Sequence, residues 1–232
     1  MTYASFFNHF NEFRVRILKS LAVFVLTSFG FYSITPQILG WLIQPAGHLI
    51  FTSPQDAFTA YIQVTLTGGF IVSLPFTVYQ IWAFAAEALK PVERRTIIFF
   101  APVSLVLFVC GVCFGFWVMV PWAYTFLLSF SSPQIVAMIT VKEYIVFVTT
   151  WVLTMGIIFE LPLVMVFLAH VGIASPEFLR QKRRHAIVII LIVAAIFSPP
   201  DVVSQLMVAM PLFVLYEIGV VGVRFFYKPQ VA

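Results

Sequence analysis

Charge is scarce in this chain: Asp, Glu, Lys and Arg make up 9% of its 232 residues, against roughly 25% in an ordinary soluble domain. So few charges cannot cover the surface of a water-soluble globule of this size. A soluble enzyme, a nucleic-acid binder and a disordered chain are excluded, even though the formal charge is +4. Cysteine is nearly absent as well. Cys110 and Cys113 are too few for a disulfide scaffold, and their C-x-x-C spacing lies inside an apolar run with no flanking strand, where two buried thiols are the plain reading. There is no nucleophile elbow, no H-E-x-x-H and no phosphate-binding loop. His9, His48, His170 and His185 form no metal-ligand spacing. Neither an active-site enzyme nor a metal or cofactor is expected. No internal repeat or low-complexity linker divides the chain, so residues 1–232 are read as a single transmembrane domain.

What is abundant is apolar sequence, 62% of the chain, and it comes in long runs. A helix rises 1.5 Å per residue and the hydrocarbon core is about 30 Å thick, so a span needs about 20 predominantly apolar residues. Six candidates stand out, at residues 17–34, 57–84, 96–128, 144–170, 186–198 and 202–223. They are apolar all round, with no period-two alternation, which favours helices over a barrel. The first run follows basic residues as a signal peptide would. No A-x-A-like site follows it, however, and Glu12 interrupts the basic flank, so it is expected to be retained as a span. The fold class expected is an all-α polytopic membrane protein with six transmembrane helices.

Basic residues set the orientation. Arg14, Arg16 and Lys19 precede the first run, and Lys90, Arg94 and Arg95 separate the second from the third. Arg180, Lys182, Arg183 and Arg184 separate the fourth from the fifth, and Arg224 and Lys228 follow the sixth. Only Lys142 falls on the other side. By the positive-inside rule both termini are expected to be cytoplasmic.

On the outer side, residues 35–56 carry Pro36, Pro45 and Pro54 around Ile38, Leu39, Trp41, Leu42 and Ile43. That stretch is too interrupted to span and reads as short interfacial helices forming an external cap. A second outer loop, 129–141, contains Ser131, Ser132 and Pro133. The third run is about 50 Å of helix, so it must tilt, protrude, or bend at Pro102 or Pro121. The fifth run supplies only about 20 Å of apolar helix before Pro199 and Pro200 stop it, which points to locally thinned bilayer around the last two spans.

Against this background each acid matters. Glu160 lies in the fourth run just before Pro162, and an intramembrane carboxyl usually faces the bundle interior and marks function. The alternative is a neutral acid bonded to a carbonyl freed by Pro162. Glu217 in the sixth run is a weaker candidate, because Arg224 follows two turns later. Glu12 and Glu93 each sit beside arginines at the cytoplasmic face. They are either solvated ends with local ion pairs or acceptors for a planar, bidentate guanidinium. Asp201, with Ser204 and Gln205 after it, is either a helix N-cap or a polar cluster that attracts a partner's transmembrane residue, and both readings are compatible. Gly111 and Gly115 form G-x-x-x-G, more often a tight helix contact than a dedicated dimer site.

Taken in order, these motifs resemble one family, TatC, the core receptor subunit of the twin-arginine protein translocase. His9-Phe10-Asn11-Glu12-Phe13-Arg14-Val15-Arg16 is similar to the family's H-L-x-E-L-R-x-R, with phenylalanines in place of the leucines. Pro75, the run Tyr79-Gln80-Ile81-Trp82-Ala83-Phe84 and then Glu93-Arg94-Arg95 resemble its second-span exit and first cytoplasmic loop. Phe159-Glu160-Leu161-Pro162, Gly172-Ile173-Ala174-Ser175-Pro176-Glu177 and Ser198-Pro199-Pro200-Asp201-Val202-Val203-Ser204-Gln205 complete the set. The resemblance covers essentially the whole chain. It departs where the family usually has a proline and this chain has Glu87-Ala88-Leu89-Lys90.

The resemblance implies six spans, both termini cytoplasmic, short fifth and sixth helices, and residence in the bacterial cytoplasmic (inner) membrane. It implies recognition of signal peptides bearing paired arginines and export of folded proteins powered by the proton gradient. On the matching positions it assigns Glu12 and Glu93, with Arg14 nearby, to the arginine pair and Glu160 to an intramembrane polar site. Asp201 and Gln205 fall in the region contacting single-span Tat partner subunits, and a homo-oligomeric receptor complex is expected. Two other classes stay open from the residues alone. One is a proton-coupled solute transporter using Glu160, against which no repeat is visible; the other is a membrane scaffold.

Overall fold

A chain crossing hydrocarbon must satisfy its own backbone hydrogen bonds, which leaves helices as the outcome for runs of this kind. The computed structural model describes residues 3–47, 49–87, 99–132, 138–197 and 201–226. Among them there are ten α-helices and no strand, with an isolated parallel bridge between Ile50 and Thr140. The helices are α1 (Tyr3–Tyr32), α2 (Thr35–Ile43), α3 (Pro54–Glu87), α4 (Phe100–Phe114), α5 (Val120–Leu128), α6 (Val141–Ile158), α7 (Leu161–His170), α8 (Pro176–Gln181), α9 (Arg183–Phe197) and α10 (Val202–Phe226). Five stretches are long and apolar enough to cross a membrane: Asn11–Tyr32, Pro54–Phe84, Phe100–Leu128, Val141–His170 and Val202–Phe225. They coincide with five of the six expected runs.

The remaining run is α9, with 15 residues, or about 22 Å of helix against about 30 Å of hydrocarbon. The sixth run, expected to be short, is instead the 25-residue α10, about 37 Å long. Of the last pair only α9 is short, because Arg183 and the proline pair confine α9 while nothing stops α10 before Phe226. At the other end of the chain, α1 starts at Tyr3 rather than at residue 17. The motif around Glu12 therefore lies on the same helix as the apolar run, one continuous rod.

The long third run is relieved internally. Between α4 and α5 lie five residues of π-helix, Gly115–Met119, closed by the Val120 amide donating to the Gly115 carbonyl. The wider turn comes immediately before Pro121, whose missing N–H and ring disfavour an ordinary α-turn there. The fourth run breaks once. Pro162 sits in the first turn of α7, the Glu160 amide donates to the Ile157 carbonyl at 3.1 Å in a tightened turn, and the helix resumes with the Val164 amide on the Glu160 carbonyl at 3.0 Å.

The chain forms two compact units, residues 1–106 with 124–153, and residues 107–123 with 154–232. In the first, α1 runs along α3 by close backbone approach. A Cβ on Gly69 would lie 2.5 Å from Ser28 Cα, and the Thr27 hydroxyl donates to the Gly69 carbonyl at 2.9 Å. Small residues let helices meet where no hydrophobic effect drives them together. The cap expected over residues 35–56 forms as α2 and a 3-10 turn, Gln44–Ala46. Asp56 accepts from the Thr52 and Ser53 amides at 3.1 and 3.0 Å, closing the start of α3. The Val141 amide donates to the Ile50 carbonyl at 2.9 Å, which ties both loops at this end together.

In the second unit α4 meets the α6–α7 run at a glycine pair. A Cβ on Gly111 would lie 2.5 Å from the Met155 carbonyl oxygen, and one on Gly156 would lie 2.6 Å from the Phe108 ring. Gly111 of the G-x-x-x-G is thus spent on an intrachain crossing.

Candidate functional site

The polar cluster expected near the start of the chain is built on α1 and α3. Glu12 and Arg16 are four residues apart on α1, a spacing that brings side chains onto one helix face. Arg16 donates from both Nε (2.9 Å) and Nη2 (2.6 Å) to Glu12 Oε1, and from Nη1 to Gln80 Oε1 on α3 at 3.0 Å. The guanidinium fork is used as its planar geometry permits, two donors to a carboxylate and one to an amide. Both side chains are partly shielded, 19% exposed for Arg16 and 32% for Glu12. Arg14, expected beside Glu12, is exposed. The guanidinium in contact is that of Arg16.

Below the network α1 and α3 enclose a groove of about 450 Å³, lined among others by Phe13, Phe24, Phe70, Ile81 and Phe84, with Arg16 and Gln80 at its polar end. The volume falls in the range of ligand-holding clefts, roughly 300–1,000 Å³. Phe13 and Phe84 close one side with ring centroids 5.4 Å apart. The site therefore joins a carboxylate already shaped to hold a guanidinium to an apolar channel. That combination suits a segment carrying arginine next to apolar residues. Glu93, expected to complete it, lies outside the described residues, as does the rest of 88–98.

The family model described as Sec-independent protein translocase protein (TatC) matches residues 8–211. The chain belongs to the TatC family. It is 37% identical to the Sec-independent protein translocase protein TatC of Desulforapulum autotrophicum, with 97% of this chain and 86% of that protein covered. It is 36% identical to the TatC of Carboxydothermus hydrogenoformans, covering 97% and 94%. Among solved structures, a crystal structure of the twin-arginine translocase receptor TatC superposes with a TM-score of 0.81 at 34% identity, covering 94% of this chain and 99% of that one.

The other candidate residues of this TatC-family chain belong to the second unit. Glu160 occupies the break between α6 and α7, with its Oε1 shielded from solvent. A helix interruption beside a proline is where a bundle can accommodate a polar group. Gln205 is engaged within the chain, its Nε2 donating to the Leu191 carbonyl on α9 at 3.0 Å. Glu217, the weaker candidate with Arg224 two turns after it, pairs with Arg183 at 2.5 Å, joining α10 to the first residue of α9. Only helix crossing decides that choice, since Arg183 is far away in sequence.

Asp201 is the N-cap of α10, its Oδ1 accepting from the Ser204 amide at 2.7 Å. That hydrogen bond, with help from the Ser204 hydroxyl and the Val203 amide, holds its carboxyl below the usual aspartate range. The stabilising contribution is present above the unfolded pKa of about 3.9 and is lost as pH falls through the lower folded value. Asp201→Ala is expected to lower the melting midpoint in detergent by about 2–4 °C at neutral pH. The difference from the parent protein should narrow once the aspartate is protonated, because the charge-assisted part of the cap is lost while a neutral carboxyl can still accept from the Ser204 amide. A midpoint difference that does not narrow in acid would show that the charge of Asp201 contributes nothing to it.

Sequence reading missed Gln80 as a site residue and gave Arg16 only a role in orientation. The i, i+4 spacing of Glu12 and Arg16 was a usable signal for their pairing. For Gln80, brought in across 64 positions, the sequence offered only its place in the run from Tyr79 to Phe84.

Proposed function

We propose that this chain is the signal-peptide receptor and core membrane subunit of a twin-arginine translocase, exporting folded proteins with the proton gradient and carrying out no covalent chemistry of its own. The observation that carries the reading is the half-shielded carboxylate of Glu12, held by a guanidinium at the polar mouth of the apolar α1–α3 groove. An incoming arginine pair finds there a group whose surroundings already suit a guanidinium, and Glu93 and Arg14 are assigned to the same recognition. The apolar part of the peptide lies along the adjoining groove. Its similarity to TatC relatives and to a twin-arginine translocase receptor supports the same assignment.

In this reading α9 is the short fifth of six spans, both termini are cytoplasmic, and the membrane is the bacterial inner membrane. Glu160 is the intramembrane polar site, Asp201 and Gln205 mark the contact for single-span Tat partner subunits, and several copies assemble in the receptor complex. The twelve basic residues on one side support the orientation. The hydrogen bond from Gln205 to the Leu191 carbonyl supports a polar point of contact between α9 and α10.

The test is photocrosslinking from positions 13 and 92, next in sequence to Glu12 and Glu93 so that both acids stay in place, to a synthetic twin-arginine signal peptide, with a twin-lysine peptide as control. Lysine presents a point charge rather than a fork, so strong crosslinks to the arginine peptide and weak ones to its lysine counterpart are expected. Equal labelling by both peptides, or labelling by neither, would refute the receptor assignment.

A further inference from the structure

The α8–α9 elbow carries an exposed cluster that neither the proposed receptor site nor the packing of the second unit uses. Arg180 is in the last turn of α8, Lys182 caps it, and Arg183, Arg184 and His185 open α9. Arg183 is taken by Glu217. Among the described residues, Arg180, Lys182 and Arg184 form no ion pair. Glu177, also exposed, is the one acid on the elbow itself.

Fold stability does not account for the arrangement. The first turn of α9 holds no acidic residue, and cations at a helix N-terminus oppose the macrodipole, where an anion would be favoured. Membrane orientation calls for positive charge on one side, but it does not call for apolar side chains beside that charge. They are present: Ile173 is 67% exposed and Phe178 49%, and Ile187 and Val188 lie exposed one turn further along α9.

The elbow is also rigid rather than a loose basic loop. Ser175 accepts from the Phe178 amide at 3.1 Å to cap α8, Pro176 is buried, and the Tyr216 hydroxyl donates to the Leu179 carbonyl at 2.7 Å. Gly172, at φ 81, ends α7 and turns the chain into this segment.

We propose that the α8–α9 elbow is a binding site for the headgroup of an anionic phospholipid. Lys182, Arg184 and Arg180 meet the phosphate, and Ile173, Phe178 and the first exposed apolar turn of α9 meet the glycerol and upper acyl chain. Charge complementarity identifies the occupant, and the adjoining apolar side chains distinguish a lipid from free phosphate. The short α9 adds to this, because a helix of about 22 Å leaves its basic end pulled toward the headgroup layer of a bilayer about 30 Å thick in hydrocarbon. This site is independent of the signal-peptide reading.

The test uses the full-length protein in phosphatidylcholine nanodiscs containing a minor fraction of phosphatidylglycerol, with native mass spectrometry counting retained lipids. The parent protein is expected to retain phosphatidylglycerol preferentially, undisturbed by excess inorganic phosphate. Each surface cation contributes about a fivefold preference, so Arg180→Gln, Lys182→Gln and Arg184→Gln together reduce enrichment by roughly a hundredfold in the additive limit. Arg180→Lys with Arg184→Lys should keep most of it, Ile173→Ser with Phe178→Ser should lose it severalfold with all cations retained, and Lys19→Gln should leave it unchanged. The lysine and serine variants decide the matter if the triple variant does not accumulate. Absence of enrichment in the parent protein, enrichment unchanged by the triple or serine variants, or displacement by inorganic phosphate would each overturn the site. So would preferential capture of acidic peptides over lipid.

Discussion

Glu12→Gln is expected to weaken binding of a twin-arginine signal peptide by about tenfold to a hundredfold while the protein still accumulates in the membrane. The two effects separate because they draw on different energies. Hydrogen bonds to a charged group contribute about 1.5–3 kcal/mol, and the substitution removes the charge that an incoming guanidinium would meet. Within the fold, the same carboxylate serves an i, i+4 pair with Arg16 on α1, worth only about 0.3–0.5 kcal/mol in such settings. Arg16 also keeps its hydrogen bond to Gln80 when Glu12 is neutralised, so α1 stays registered on α3. Peptide crosslinking yield against membrane-extracted protein level measures both quantities in one preparation. Undiminished crosslinking at normal protein level would remove Glu12 from the recognition site.

Gly111→Leu is expected to reduce the accumulated protein severalfold or more and to lower its melting midpoint, whereas Gly30→Leu is expected to be tolerated. A Cβ at position 111 would meet the Met155 carbonyl oxygen at 2.5 Å and Gly156 Cα at 2.8 Å, whereas one at position 30 meets nothing within 4 Å. Backbone cannot move aside as a flexible side-chain tip can, so the two helices must separate. Overpacking costs about 1–3 kcal/mol where neighbours can adjust, and losses of that size change cellular abundance severalfold. Immunoblots of membranes together with thermal unfolding in detergent provide the comparison. Wild-type level and midpoint for Gly111→Leu would show that the crossing is looser than its geometry implies.

Much of the fold could be read from the residues themselves. Hydropathy located five of the long helical stretches because hydrocarbon thickness sets a minimum apolar length. The same arithmetic marked 186–198 as too short to match them, and α9 is short. Capping by Asp201 followed from its residue type ahead of an apolar run, and the tight contact at Gly111 followed from small-residue spacing. These are local properties: length, composition and the chemistry of a helix end.

The pairings that build the candidate site were not local. Arg16 rather than Arg14 facing Glu12, Gln80 joining them from α3, Arg183 rather than Arg224 holding Glu217, and Gln205 spent on the Leu191 carbonyl all depend on how each helix is rotated and where it crosses its neighbour. A helix that is apolar on every side has no hydrophobic stripe to fix that rotation. In a lipid environment the choice falls to close approach at glycines and to a few polar contacts. From the sequence alone came a chain of apolar helices with its scarce charge gathered at their ends. Tertiary packing decided which charges meet, because the partners lie on helices whose facing is set only when small residues lock together.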